Sequence, residues 1–558
     1  MYLRTTQRRN KDGSIVQYYQ LAHNKRHPVT GKPVAHIIHK FGRADRLDRD
    51  QLVRLCRSIA RVCGLHVIDP SSESEQLCGA PQPGLPAGLK LIHTLALGTP
   101  WVIEALWERL GIGQAVRDIC KARTLKAPYE RALLAMVANR LCEPESKLGL
   151  WDRWLQKLYM PSAASVKLEQ MYEAMDLLYE HASEVERHIF FQTADLLNLQ
   201  VDVIFYDTTT ASFSIDEEDD AEESIRKFGY SKEGGWAPQV VVALAVTREG
   251  LPVRSWVFPG NTADVATVEK VRAELRGWSL GRAMFVSDSG INCLENREEL
   301  SRACGKYLLA TRMASVAEIK REVLTRPGRY TVIKDNLHAK EVVIGDGERR
   351  RRYILCYNPK EAHRQKSHRE QIVAFLEKEL ERHPSGKATA RWAIELLASA
   401  RYKRYLSISK SDTLRIDRQA IRESEKYDGK WVLETNDDTI SLEDAACGYK
   451  GLMVIERCFR SLKRTQIKLC PMFHWVPRRI EAHVKICVIS LLIERMAEIS
   501  CGQPWSRIRS QLEKLQISEF LTPEYRFFRR NELPADTRNI LKTLNVSVPP
   551  LVLGLEKI

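Results

Sequence analysis

At 558 residues the chain is far longer than one typical domain and divides into three or four units at about 100–200 residues each. Apolar residues at 44% and charged residues at 28% exclude a disordered or fibrous chain, and no run approaches the roughly 18 apolar residues of a membrane-spanning helix. The excess of 86 Lys and Arg over 71 Asp and Glu, a net +15, suits a polyphosphate partner without identifying one.

The opening segment, Met1 to Asn10, lacks the apolar core of a secretory signal, so the cytoplasm is the expected compartment and no membrane partner is expected. Thirteen cysteines, the closest pair being Cys56 and Cys63, form no zinc-knuckle spacing and read as reduced thiols. Short strands around turns are expected at Ile15–Tyr19 and Val34–Ile38, followed by a helical stretch through Leu52, Leu55, Ile59 and Val62. Residues 70–88, rich in Pro, Gly and Ser, read as a linker, and helical periodicity dominates from 91 to about 199.

The texture then changes. Val201–Asp207 is an apolar run that ends in an acid and three threonines, the pattern of a buried strand. Gln239–Val246 and Leu251–Val257 flank Thr247-Arg248-Glu249-Gly250 and predict a hairpin. A helical stretch over Asp264–Trp278 leads to a second apolar strand ending in an acid, Ala283–Asp288, then a helix near 294–304 and a strand at Tyr307–Thr311. Strand, hairpin, helix, strand, helix, strand predicts an α/β chain with a mixed sheet covered by helices, the order of the ribonuclease-H-like fold. No internal repeat is visible, which argues against a solenoid.

Asp207 and Asp288 at strand ends, with Glu456 in the helical segment Gly451–Arg464, form a set of carboxylates suited to phosphodiester chemistry. Such chemistry uses two metal ions about 3.5–4 Å apart, held by hard oxygen ligands, to activate the nucleophile and stabilise the leaving oxygen. Tyr449, Glu456 and Lys463 are spaced by seven, and on a straight helix a heptad drifts only about 20°, so the three are expected on one face. Taken singly, each residue is more often a cap or a solvated position. Their joint order is what points to a site.

Asp207, Asp288, and Tyr449 to Glu456 followed by Lys463 resemble the YREK-type transposases of the insertion-sequence-four superfamily, whose signature is Tyr-x2-Arg-x3-Glu-x6-Lys. Gly229-Tyr230-Ser231-Lys232, Gly260-Asn261-Thr262-Ala263-Asp264, Asp288-Ser289-Gly290 and Asn139-Arg140-Leu141-Cys142 are also similar to that group. The resemblance spans nearly the whole chain. It implies a bacterial DDE transposase with a ribonuclease-H-like catalytic domain. Asp207, Asp288 and Glu456 are then its catalytic metal ligands, two Mg2+ ions its cofactor (Mn2+ as a substitute), and cut-and-paste movement of a mobile element its activity. The implied partners are double-stranded DNA, as terminal inverted repeats and target, and a second copy of the chain in a homodimer on paired ends. Leu452 stands where the signature has arginine and cannot make a guanidinium's bidentate phosphate contact, which leaves that role to Arg457, Arg460 or an arginine elsewhere.

Asp288 and Glu456 lie 168 positions apart, more than a minimal core needs, so a β-containing insertion is expected over 315–440, with strands at Tyr330–Ile333, Glu341–Ile344 and Tyr353–Cys356. Trp431 aligns with a relative's base-stacking tryptophan, although a strand tryptophan is more often core. The expected DNA contacts are Tyr449, Lys463, Trp431, Arg460, Arg478 and Arg479. The run Arg349–Arg352 reads as a solvated turn more than a phosphate grip, His483 as structural, and the acidic stretch 216–223 as a loop.

The expected layout is a small basic α+β module over 1–69, a candidate DNA-binding unit, and a linker over 70–90. A helical region over 91–199 precedes the first part of the core at 200–314. The insertion at 315–440 is followed by the catalytic helix and its successor at 441–500, then a C-terminal region at 501–558, a candidate for DNA or dimer contacts. The competing functions are a transposase-derived DNA-binding protein without mobility and a ribonuclease-H-like structure-specific nuclease; flanking inverted repeats in the genomic DNA would separate them from a transposase.

Overall fold

The computed structural model describes residues 2–9, 15–26, 33–43, 89–199, 201–214, 224–347, 350–383 and 386–558. The expected helix through Leu52 to Val62, the linker and the acidic stretch 216–223 lie outside them. The chain falls into two compact units, Met1–Ala87 and Gly88–Ile558. In the first, β1 (Tyr2–Arg9), β2 (Ile15–Arg26) and β3 (Pro33–Arg43) form an antiparallel meander.

The second unit opens with β4 (Lys90–Ala96), α1 (Gly98–Arg109), α2 (Ile112–Ala122), α3 (Tyr129–Cys142), α4 (Leu168–Glu180) and α5 (Ala182–Leu196). Their apolar faces, including Trp107, Met136 and Leu178, close around one core.

The central sheet follows. Its strands are β5 (Val203–Ser212), β6 (Lys227–Tyr230), β7 (Trp236–Thr247) and β8 (Pro252–Pro259), then β9 (Met284–Ser287) and β10 (Tyr307–Thr311) beyond the intervening α6 (Val268–Gly277) and, after β9, α7 (Leu294–Ser301). β8, β7 and β5 pair antiparallel in that order, while β9 and β10 continue the sheet parallel to β5. This is the ribonuclease-H-like order, and the fold expected from the sequence is the fold observed. β6 and β8 share the outer edge of β7, β6 over Trp236–Gln239 and β8 over Val240–Val246. Because successive side chains of a strand point to opposite faces, Val203 and Phe205 enter one core and Ile204 and Tyr206 another.

The insertion does not form a separate β-domain. Its strands β11 (Thr331–Lys334), β12 (Leu337–Ile344) and β13 (Arg351–Tyr357) extend the central sheet. Between β13 and the rest of the sheet lie, in chain order, α8 (Pro359–Arg382), α9 (Arg391–Ala398), β14 (Leu406–Ile408), β15 (Leu414–Ile416) and α10 (Arg418–Glu425). These build a lobe around Ile372, Leu376, Tyr405 and Leu414. The chain returns as β16 (Lys430–Thr435), which pairs antiparallel with both β13 and β10 and so joins insertion and core into one ten-stranded sheet.

α11 (Leu442–Lys450) and α12 (Met453–Arg460) then cross the sheet face that carries Phe205. α13 (Pro477–Cys501) links this face to the helical core, with Val484, Cys487, Val488, Leu491 and Leu492 all buried, as core rather than contact surface. The chain ends with α14 (Trp505–Leu512), β17 (Gln516–Leu521), β18 (Tyr525–Arg530), α15 (Ala535–Thr543) and β19 (Val552–Lys557). β17 pairs with β4, joining the C-terminal region to the start of the helical region in a four-stranded sheet. The described cysteines are unpaired thiols, and among the described residues no helix is long and apolar enough to cross a membrane.

Candidate active site

Asp207 does not end its strand. The β-branched run Thr208-Thr209-Thr210 suits a pleated backbone and carries β5 on to Ser212, leaving the acid in mid-strand. It is reachable because β9 pairs with β5 only over Val203–Phe205 and stops at Ser287. Asp288 follows at that stop, where the Gly290 N–H donates to its Oδ1 at 2.8 Å. The two acids therefore flank the notch in which the strands part.

Glu456 comes from α12, which lies on β5 through Ile455, Cys458 and Phe459. The helix is not straight. α11 ends at Lys450, Gly451 and Leu452 form a tightened turn, α12 follows, and a π-type turn spans Ser461–Thr465. Tyr449 to Lys463 is therefore not the single straight helix that even heptad spacing requires. Lys463 nevertheless reaches Thr209 of β5, and Tyr449 feels the charges of both Glu456 and Asp207. The turn itself depends on a close approach, since a Cβ at Gly451 would lie 2.5 Å from Phe205 Cζ. Leu452, at the signature arginine position, is buried in the core beneath this turn, where a guanidinium would be buried too.

Tyr449 reports on the convergence. Burial pushes its hydroxyl up to about 12, and the negative charges of Asp288, Glu456 and Asp207 push in the same direction. Burial likewise pushes the Asp207 carboxyl up to about 6; the Lys232 ammonium and the Thr208 N–H oppose this, and the charges of Asp288 and Asp264 add to it.

Sequence reasoning missed three participants, all on or beside segments noted only for their resemblance to the transposase group. Lys232 Nζ lies 3.7 Å from Asp207 Oδ1 and 3.2 Å from Asp264 Oδ2, and donates to the Thr208 carbonyl at 2.8 Å. Asp264 accepts from the Thr208 hydroxyl, which ties a fourth carboxylate to the Asp207 strand. Glu233 holds Lys463 at 2.9 Å, and Lys463 also reaches Thr209 Oγ1 at 3.4 Å.

Among the described residues no three His, Cys, Asp or Glu side chains already stand as a metal-ligating group. The donor set still fits a hard divalent cation. The like charges of Asp288 and Asp264 act on Asp207, an arrangement that a cation relieves, and an ammonium already sits against two of these acids; the charge of Glu456 meets those of Asp207 and Asp288 at Tyr449. Asp207, Asp288 and Glu456 could hold the ion, with Asp264 beside them.

The other expected contacts are scattered. Arg460 is exposed on α12. Arg478 and Arg479 are engaged within the chain, both donating to Asp176 of α4, and Arg479 also lies over the Tyr172 ring, so they dock α13 onto the helical region rather than stand free for phosphate. Trp431 lies in β16 with its ring against the core and its indole N–H buried, so its setting is that of a core residue. In the arginine run, Arg349 lies outside the described residues, and Arg350, Arg351 and Arg352 pair with Asp438, Glu318 and Glu341; Arg350 is exposed, whereas Arg352 is buried. His483 is buried against the Leu469 carbonyl.

Residues 202–491, just over half of the chain, match the model described as the transposase DDE domain. The chain belongs to the DDE transposases. Residues 3–71 match the N-terminal domain of the IS1634 family transposases, which makes this an insertion-sequence transposase. As such it is a metal-dependent enzyme of DNA cleavage and strand transfer that works on DNA. Two solved structures are similar to the transposase at low identity. One is the piggyBac transposase synaptic complex with hairpin DNA, 11% identical over 69% of this chain and 70% of that one, TM-score 0.34. The other is the Mos1 transposase paired-end complex with left transposon end, 12% identical over 44% of this chain and 68% of that one, TM-score 0.13. No curated protein matches the transposase.

Proposed function

We propose that the transposase cuts at the terminal inverted repeats of its element and joins the freed 3′ ends to target DNA, with Asp207, Asp288 and Glu456 as the ligands of two Mg2+ ions that Mn2+ can replace. The observation that supports this is the match of residues 202–491 to the transposase DDE domain, with Lys232 held between Asp207 and Asp264 beside the end of β9 where Asp288 stands. When bound, the ions supply activation of the attacking oxygen and charge neutralisation at the leaving one. The chain's own groups do the rest. Lys232, displaced from Asp207 and Asp264, becomes a cation for the scissile phosphate, while Lys463 and Arg460 hold flanking phosphates.

Tyr449, Glu456 and Lys463 support the finer assignment to the YREK group, with Leu452 as its departure. Residues 1–69 serve as a DNA-binding module. The working form is a homodimer on paired ends, because two inverted repeats are matched most simply by a two-fold assembly.

The test replaces Asp207, Asp288 and Glu456 singly by alanine. Each variant is expected to lose Mg2+-dependent cleavage of the element's ends and to keep end binding, measured by gel retardation. A variant that cuts at the wild-type rate removes its residue from the site. Mixing inactive and active protein on paired ends and counting cleavages tests the dimer; cutting of single ends by a sedimenting monomer refutes it.

A further inference from the structure

Beside the carboxylates the molecule exposes two aromatic rings that its core does not use. Trp236 is 73% exposed, the highest value among the large apolar side chains of the described residues, and Tyr230 is 65% exposed. They are cross-strand partners on β6 and β7, with ring centroids 6.2 Å apart at 78°. The five residues between them form a loop whose inner side is tied to β5. Lys232 N–H donates to Thr210 Oγ1 at 3.0 Å, and Lys232 and Glu233 reach into the site. Its tip, Gly234 and Gly235, takes φ of +99° and +91°, and a Cβ at either would meet nothing within 4 Å. The loop thus projects from the protein with its polar side on the carboxylates and its aromatic side at the base, facing out.

The geometry points to the Tyr230–Trp236 pair as the stacking platform for an unpaired nucleobase of the DNA strand whose phosphate lies at the carboxylates. Two edge-to-face rings cannot sandwich a base, but they form a corner in which a base stacks on the indole while its edge meets the phenol. The occupant follows from continuity and charge. The cleft lined by Tyr230, Lys232, Asp264 and Asp288 shares Tyr230, Lys232 and Asp264 with a second lined also by Trp236 and Asn261, which puts the rings beside the path of a strand that reaches the acids. Lys232, Lys463 and Arg464, held there by ion pairs with Asp207 and Glu233, are the cations that its phosphates would take over. Aromatic faces accept any base, which suits a position read by stacking and not by sequence. This rests on the reading of Asp207, Asp288 and Glu456 as the cutting site.

The test uses the full chain without divalent ions and two probes. One is a forked duplex with 2-aminopurine as the first unpaired nucleotide; the other is the same duplex fully paired. Wild type is expected to quench the fork probe and to bind it more tightly than the duplex. Trp236→Ala is expected to lose the quench and about 5- to 150-fold of fork affinity, the range for one stacked base, with duplex affinity and thermal unfolding unchanged. Tyr230→Ala is expected to lose less, and Trp236→Phe to recover part of the loss. Equal affinities of wild type and Trp236→Ala for the fork overturn the platform. So does an equal loss on fork and duplex, or a change in sedimentation without a change in fork binding, which would make the rings a contact between copies of the chain. Cleavage by Asp288→Ala at the wild-type rate would instead remove the carboxylate reading and leave the fork result standing.

Discussion

Gly451→Ala isolates the helix turn that aims Glu456. The backbone there is helical, φ −60° and ψ −18°, so alanine fits the conformation and even gains helix propensity worth about 1 kcal/mol. The obstacle is Phe205. The new methyl would stand 2.5 Å from Cζ and 3.2 Å from Cε1, whereas carbon atoms rest about 3.5–4.0 Å apart. Turn or ring must give by about 1 Å, and Phe205 is 1% exposed within the core. Overpacking of this kind costs about 1–3 kcal/mol, so after the propensity gain the net loss of stability is about 0–2 kcal/mol. The effect on chemistry is larger, because a misplacement of about 1 Å at a reacting group costs on the order of 100-fold. Cleavage rate in Mg2+ should therefore fall far more than the thermal midpoint. Adding Phe205→Leu, which removes Cζ, should restore much of the rate. Wild-type cleavage by Gly451→Ala, or a double variant no faster than the single one, would refute the idea that this contact sets the position of Glu456.

Glu233→Gln should remove the carboxylate that competes with phosphate for Lys463 and so tighten duplex binding, whereas Lys463→Ala should weaken it and flatten the log–log salt slope by about 0.9; an unchanged slope for Lys463→Ala in a filter-binding titration counts against the phosphate contact. Lys485→Met leaves the Glu186 carboxylate buried without its ammonium, now 2.8 Å away, and should cost about 3–5 kcal/mol in chemical denaturation; a loss under about 1 kcal/mol would show that Ser255 and Arg254 suffice. Burial pushes the Glu494 carboxyl up to about 7, against the Ser461 hydroxyl that donates to it. An acid raised in the folded state stabilises it when protonated, so this contribution is complete below about 4.5 and fades as pH rises through 7. Relative to Glu494→Gln, wild type should lose about 3 kcal/mol between pH 4 and 8; parallel pH profiles would place the carboxyl in a polar setting.

The parts of the fold that depend on local pattern were readable. The apolar run Tyr307–Thr311 is β10, and the acid after Ala283–Ser287 stands at the end of β9. What failed were arguments that needed neighbours. Asp207 reads as a strand end because polar residues follow, yet threonine continues a strand as readily as valine, and only the early stop of β9 makes the acid accessible. Even spacing from Tyr449 to Lys463 concealed the turn at Gly451, where the close neighbour is Phe205, almost 250 positions away. Lys232, Glu233 and Asp264 come to the site through the β6–β7 loop and the segment after β8, and nothing in their spacing distinguishes them from surface charges. Pairing of β4 with β17 joins opposite ends of the second unit and has no local signal at all.

β16 lies between β10 and β13, bonded to both. The segment that interrupts the catalytic core in sequence thereby also supplies the strand that finishes it in space. It cannot be excised as a cassette: cutting out residues 315–440 would strip β10 of its partner and leave a row of open amides and carbonyls beside the notch, an invitation to association with other chains. Nor can it swing as a hinged flap, because any rotation would have to break the ladder of β16. A displacement of the lobe of α8 to α10 would be carried through β16 and β10 to β9 and so to Asp288, two ladders away.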